Sequence, residues 1–231
     1  MKTSLLDTEN REQAVNSVAP DFNHLARIYR WMEWLTFGPF LQRCRTTFLS
    51  NLQQRRRGLV LGDGDGRFTS RLLRTNAHIL VDAVDASESM LSQLATRASS
   101  NNRRVHTHFA DARTFQPPHH RYDLIATHFF LDCLTTSEVK LLASRLRRHA
   151  APNALWVVSE FAIPANFYGR AIARPLISAL YLAFRLLTRL RIRALPNHHV
   201  ALAQAGWSLV HQQKRLGGLL ISELWQHDLQ S

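Results

Sequence analysis

The chain has 231 residues, 45% hydrophobic and 20% charged, enough for one sizeable core and too apolar for global disorder. Nine Gly and eight Pro exclude a fibrous or low-complexity chain, and two cysteines, Cys44 and Cys133, exclude a disulfide framework or a cysteine-rich zinc site. Twenty-nine Lys and Arg against 17 Asp and Glu give a formal charge of +12. The excess is uneven. Between Glu160 and Glu223 no acidic residue occurs, while the same stretch holds Arg170, Arg174, Arg185, Arg189, Arg191, Arg193, Lys214 and Arg215. A solvated face normally mixes signs, so an anionic partner is expected: nucleic acid, an acidic membrane surface or an anionic substrate. Simple solubility is the plain alternative. The start MKTSLLDTENREQ puts acids where a secretory signal needs an apolar run, and no stretch of about 20 uncharged apolar residues follows. A cytoplasmic protein without a spanning helix is expected.

Residues 1–21 read as a loose polar arm. Phe22, Leu25, Ala26, Tyr29 and Met32 recur at helical spacing, Gly38-Pro39 breaks the chain, and a second helix carries Phe40, Leu41, Cys44, Phe48, Leu49 and Leu52 on one face. Arg55-Arg56-Arg57 ends it, placing positive charge at the negative end of the helix dipole. Two periods then alternate. Strands are expected at 59–61, 79–84, 105–109, 122–127 and 154–159. Helices are expected over 67–74, from Ser87 through Met90, Leu91, Leu94 and Ala98, and from a Ser137 cap to the Pro152-Asn153 turn. Asp82 falls inside the second strand and is placed near a strand end or an edge. The stretch 164–196 is helical and apolar, a short helix ends at Gly206, and Gly217-Gly218 joins two antiparallel strands. Strands alternating with helices predict an α/β fold: a doubly wound, Rossmann-like sheet, mostly parallel, with a C-terminal antiparallel hairpin and an N-terminal helical cap.

Gly62-Asp63-Gly64-Asp65-Gly66 follows the first strand and opens a helix, where open α/β sheets bind nucleotides. The third glycine comes one residue early for the dinucleotide fingerprint. A pyrophosphate seeks bare amides at a helix N-terminus, and Asp63 and Asp65 would set two carboxylates beside it. The loop therefore favours a cofactor without phosphate that carries positive charge. Asp85 ends the second strand, where a carboxylate can accept both hydroxyls of a ribose. Asp111 follows the third strand on the same rim, within reach of an adenine amino group. A simple tight turn and two helix caps are the plain readings of these residues.

With these motifs the chain resembles the class I S-adenosylmethionine-dependent methyltransferases over roughly residues 29–225. The resemblance implies that Gly62, Gly64 and Gly66 cradle the methionine part of the cofactor, that Asp85 binds ribose and that Asp111, with Ala112, contacts adenine. Ala86 and Met90 resemble the family's D-x-S-x-x-M stretch beside the adenosine. The family's acid two residues before the first glycine is here Val60, and Asp63 or Asp65 is expected to take over its hold on the cofactor's amino group. The domain plan that follows is an arm over 1–21 and one methyltransferase domain over 22–231, divided into a cap (22–57), a cofactor-binding core (58–160) and acceptor-side helices with the terminal hairpin (161–231). The segment Tyr29–Gly38 is similar to the cap of the ubiquinone and menaquinone C-methyltransferases, which implies that Tyr29 covers the cofactor.

In the family the rim after the fourth strand, Thr127 to Cys133, faces the methyl group and the acceptor. The cofactor supplies the electrophile, and the protein supplies positioning, desolvation and removal of a proton where needed. Thr127 is expected at the cofactor, Phe129 and Phe130 as an apolar wall for the substrate, and His128 and Asp132 as catalytic residues orienting the acceptor or acting as general base. A hydrogen-bonded structural histidine is the alternative for His128. The adjacent pairs His119-His120 and His198-His199 cannot easily share a metal unless the turn directs both inward, and no H-x-x-x-H occurs, so no metal site is expected. In 163–196, Leu176, Ile177, Leu180, Tyr181, Phe184 and Leu187 form one side, with Tyr181 expected at the substrate. Arg185, Arg189 and Arg193 step along another side, as on an interfacial helix lying on anionic lipid. A small apolar or amphipathic acceptor, quinone-like or lipidic, is the first expectation, with peripheral membrane contact through those arginines. An RNA or protein methyltransferase is the second, though no N/D-P-P-Y motif occurs and nucleic acid is the weaker partner. A non-catalytic cofactor-binding protein is the third.

Overall fold

A computed structural model describes residues 38–164 and 195–227, together with Ala171 and Pro175. The arm, the first cap helix with Tyr29, and Tyr181, Arg185, Arg189 and Arg193 lie outside the described residues. The chain runs through α1 (Gly38–Arg45), β1 (Arg57–Leu61), α2 (Arg67–Thr75), β2 (Leu80–Asp85), α3 (Glu88–Arg97), β3 (Val105–Phe109), β4 (Tyr122–His128), α4 (Thr136–His149), β5 (Ala150–Phe161), α5 (His198–Gln204), β6 (Trp207–Arg215) and β7 (Leu220–His227).

The seven strands form one sheet in the order β3-β2-β1-β4-β5-β7-β6. Strands β1 to β5 pair parallel, whereas β7 pairs antiparallel with both β5 and β6. The expected sheet with its terminal hairpin is observed. The order reverses between β1 and β4, so the carboxyl ends of these two strands splay apart and open a crevice. Residues 62–66 and 129–133 border it.

Both faces of the sheet are covered. Trp156, Val158, Trp207 and Trp225 pack under Leu142, Leu146, Ala201 and Leu202 of α4 and α5, while Val60, Val81, Leu124 and Val157 pack under Phe68, Leu72 and Leu94 of α2 and α3. Burial on both faces explains why these strands read as continuous apolar runs instead of alternating ones.

Several expectations need correction. The helix drawn through residues 40–52 stops at Arg45, and only a 3-10 turn, Leu49–Leu52, follows. Gly38-Pro39 lies in the first turn of that helix, in keeping with proline's fitness for a first helical turn. The cap of α4 is Thr135, not Ser137: Thr135 Oγ1 accepts the Glu138 amide while Glu138 Oε2 accepts the Thr135 amide. Asp82 is neither at a strand end nor at an edge strand. It is buried inside β2, where Tyr122 donates its hydroxyl at 2.9 Å and His108 Nε2 lies 2.8 Å away. Those two partners make an internal carboxylate tolerable.

Candidate active site

The glycine loop sits where β1 hands over to α2. Two of its glycines are demanded by close neighbours. A Cβ on Gly62 would stand 2.5 Å from Phe130 Cδ2, and one on Gly66 would stand 2.6 Å from Leu94 Cγ; both residues have positive φ. Gly64 differs, because a Cβ there would meet only Met90 Sδ, at an ordinary contact distance of 3.7 Å, although its φ is positive too.

The loop carboxylates turn inward. Asp63 accepts the amides of Phe68 (3.2 Å) and Thr69 (2.8 Å), the donors that the first turn of α2 would otherwise present to a ligand. Burial pushes the Asp63 carboxyl up to about 6, with the Thr69 amide, the Arg45 charge and the Phe68 amide pulling the other way. Asp65 is buried between Arg67 Nε (3.1 Å) and Arg97 Nη2 (2.8 Å), and Arg97 Nε also donates to the Asp65 carbonyl. Neither is therefore the open carboxylate expected to replace an acid at Val60. Asp63 caps α2, and Asp65 staples the loop to the end of α3.

Asp85 is better placed for a ligand. Half-buried at the end of β2, it accepts Gly64 N at 3.2 Å and Ser87 N at 2.9 Å. Burial raises its pKa, opposed by the amides of Ser87, Gly64 and Ala86. Ser87 caps α3, which seats Met90 against the loop and leaves Ala86 exposed. Asp111 lies on the same rim with its carboxylate engaged by Arg113 Nε and Nη2, and this guanidinium holds it below the ordinary carboxylate range. Ala112 is buried, its carbonyl accepting Arg145 Nη2. Phe109, which sequence reasoning passed over, is 67% exposed and in register with Asp85, so an aromatic ring stands beside that carboxylate. An aromatic ending an edge strand beside an acid was its only signal.

At the facing rim the expected residues separate. Thr127 is fully buried and accepts Trp156 Nε1 at 2.9 Å, so its hydroxyl serves the core instead of the cofactor. His128 is buried beneath α2, its ring 4.3 Å from that of Phe68 and its Nδ1 3.0 Å from Ser159 Oγ. Burial, reinforced by the Arg45 charge, pushes its pKa well below the ordinary value, which gives a neutral imidazole with little capacity to take a proton. Its Nε2 is buried without a hydrogen-bond partner. Phe129 has φ +54, unusual for a bulky residue, and its buried ring packs on Phe161 with the Arg45 guanidinium 5.1 Å from its centroid. Phe130 covers Gly62.

Two residues that sequence reasoning did not single out hold this rim. Glu160 is buried, and its Oε1 accepts the amides of Phe130 (3.2 Å) and Leu131 (2.8 Å), fixing the turn that follows the strained Phe129. Asp132 stands beside it, and burial together with that neighbouring charge drives the Glu160 carboxyl well above its usual range. An acid inside the apolar run Ala154–Phe161 was the available signal. Arg45 carries charge from α1 to Phe129, His128 and Asp63, and nothing in its local sequence marks it.

These residues suit an adenosine-type cofactor. Asp85 offers carboxylate oxygens at the crevice mouth, and the α2 N-terminus already holds a carboxylate where a phosphate would bind.

Residues 59–153 match the family described as Methyltransferase domain. Over 103 residues the chain is 32% identical to the N-terminal Xaa-Pro-Lys N-methyltransferase 1 of Danio rerio, a match covering 44% of this chain; the chain spans about half, 46%, of that relative's length. Among solved structures, the N-methyltransferase NodS from Bradyrhizobium japonicum WM9 in complex with S-adenosyl-L-homocysteine has a TM-score of 0.59 at 14% identity, covering 81% of this chain and 87% of NodS. An O-methyltransferase-like protein from Nostoc punctiforme PCC 73102 has a TM-score of 0.68 at 17% identity, covering 92% and 63%. At these identities the structures speak to the fold. Residues 59–153 thus match a methyltransferase domain, and the sheet that carries them has the fold shared with these methyltransferase structures.

Proposed function

We propose that the protein transfers a methyl group from S-adenosylmethionine to a small apolar or amphipathic acceptor, quinone-like or lipidic in character. One observation carries the cofactor half: Asp63 fills the α2 N-terminus and excludes phosphate, while Asp85 stays at the open crevice mouth. The cofactor supplies an electrophilic methyl on a sulfonium. The chain's own part is to bind and orient. The loop backbone from Gly62 to Gly66 lines the methionine portion, Asp85 accepts ribose hydroxyls, and Phe109, Met90 and Asp111 border the adenine.

The acceptor half rests on the resemblance and on the apolar character of the residues beside the crevice: Leu41, Phe129, Leu219 and Leu220 form a buried cluster, with Phe161, Leu195 and Leu216 against it. Asp132, next to Glu160, is the remaining candidate for proton removal. Tyr29 and Tyr181 stay assigned to cofactor and acceptor by resemblance and position in sequence. Arg185, Arg189 and Arg193 remain the proposed contact with an anionic membrane, and vesicle binding undiminished in their triple Gln variant would dispose of it.

The identity to a protein N-methyltransferase favours a peptide amino group as the second reading. Calorimetric titration with S-adenosylmethionine, S-adenosylhomocysteine and NADH tests the cofactor: micromolar binding of the first two and none of NADH is expected. Transfer of labelled methyl to lipid quinones and phenols, to peptides beginning Xaa-Pro-Lys and to RNA then decides the acceptor. Labelling of the peptide alone overturns the first reading, and cofactor binding without labelling of any acceptor points to a non-catalytic role.

A further inference from the structure

Apart from the crevice, the sheet carries a second cluster of chemistry-bearing side chains. His198 and His199 open α5, which packs on α4 under one face of the sheet, and Glu223 lies in β7 with no exposure to solvent. Consecutive helical residues point about 100° apart, so two adjacent histidines ordinarily diverge. Here they converge. His198 Nε2 lies 3.0 Å from Glu223 Oε2 and His199 Nε2 lies 2.7 Å from Oε1, so each oxygen of one carboxylate faces one imidazole. All three ligating atoms lie within 4.8 Å of one another, and no other such group of three occurs among the described residues.

The surroundings are those of a supported site. Trp225 Nε1 donates to Glu223 Oε2 at 3.0 Å and Gln212 Nε2 to Oε1 at 2.8 Å, so the carboxylate's direction is fixed from behind by groups that are not ligands. The His199 ring rests edge-on against Trp225, 5.4 Å between centroids. The His199 side chain is 41% exposed, which gives an ion a path in and leaves a coordination position open to water.

We propose that His198, His199 and Glu223 bind a divalent cation of the zinc class, with water completing the shell. Two imidazole nitrogens and one carboxylate oxygen are donors that zinc accepts readily, and a tetrahedral ion with bonds of about 2.0 Å needs its ligands about 3.3 Å apart. The two imidazole-to-carboxylate distances, 3.0 and 2.7 Å, fall slightly below that spacing, and all three ligating atoms lie within 4.8 Å of one another. The ion would replace two imidazole-to-carboxylate hydrogen bonds by three coordinate bonds and neutralise a buried negative charge. It would fasten α5 to β7, pinning the downstream end of the basic, apolar stretch that precedes Leu195. The inference does not depend on the methyl-transfer reading.

The test uses the full chain without an affinity tag, stripped by a chelator and titrated with Co²⁺ as a spectroscopic probe and then with Zn²⁺. One equivalent of Co²⁺ should bind with visible d–d absorption, Zn²⁺ should displace it, and Zn²⁺ should raise the unfolding temperature. His199→Ala, at a partly exposed position, should keep the fold and weaken the ion at least tenfold, and the isosteric Glu223→Gln should do the same. The double variant His119→Ala/His120→Ala removes the other adjacent pair, where His120 stacks on His149, and should change nothing. Absence of stoichiometric binding overturns the proposal, leaving a hydrogen-bond clamp. Equal binding by wild type and His199→Ala also overturns it, as does a loss confined to the His119/His120 variant.

Discussion

Phe130 lies directly over Gly62: a Cβ at position 62 would sit 2.5 Å from Phe130 Cδ2 and 3.0 Å from its Cγ. The two walls of the crevice, one from β1 and the other from β4, thus touch through a residue with no side chain. Gly62→Ala would force Phe130 aside and place alanine at φ +68. The combined cost is expected at about 2–4 kcal/mol, from overpacking and left-handed backbone strain. Urea unfolding measures it, and a cost below about 1 kcal/mol would show that Phe130 moves freely.

Asp85→Asn should weaken S-adenosylhomocysteine binding about tenfold or more, because hydrogen bonds to a charged acceptor contribute about 1.5–3 kcal/mol each. The amide oxygen retains one of the two backbone partners, so the circular dichroism spectrum should be unchanged. Unaltered affinity in calorimetry would remove the ribose assignment.

Glu160 separates charge from shape. Since burial and Asp132 push its carboxyl toward the neutral form, Glu160→Gln keeps the acceptor for the Phe130 and Leu131 amides and should stay within about 1 kcal/mol of wild type. Glu160→Ala leaves both amides without that acceptor and should cost about 3 kcal/mol or more. Equal destabilisation of the two variants in chemical denaturation would mean that the negative charge itself is required.

His128 gives the chain a pH dependence of known sign. Its folded-state pKa is depressed, so the unfolded chain takes up a proton that the folded chain does not, and stability is lost as pH falls through the ordinary histidine value. Between pH 7 and pH 5 the wild type should lose up to about 2 kcal/mol that His128→Asn does not lose. Urea midpoints of the two proteins at both pH values check this, and parallel losses would mean that His128 is protonated in the fold.

The sheet was legible because its signals are local. Leu59–Leu61, Val81–Val84 and Ala154–Ser159 are apolar runs of strand length between turn residues, and the glycines and Asp85 hold fixed offsets from them. What escaped depends on partners distant in the chain. Asp65 meets Arg97, 32 residues on, and Asp82 meets Tyr122, 40 residues on, so neither carboxylate's direction could be read from its neighbours. His128 and Thr127 have the residue types and rim position of site residues, yet the strand points one under α2 and the other at Trp156. The convergence of His198 and His199 required β7 to be laid beside them.

The carboxylate seated at the start of α2 also decides what the crevice ignores. Nucleoside triphosphates and dinucleotides are abundant in cells and share the adenosine half of the proposed ligand, so a bare helix start would let them compete for the same cleft. With Asp63 already bonded to Phe68 and Thr69, an incoming phosphate meets a negative charge and finds those donors taken. On the proposed function, nucleotides are expected to compete poorly for the crevice, and an inhibitor built on adenosine should carry a cationic or neutral 5′ group, never a phosphate.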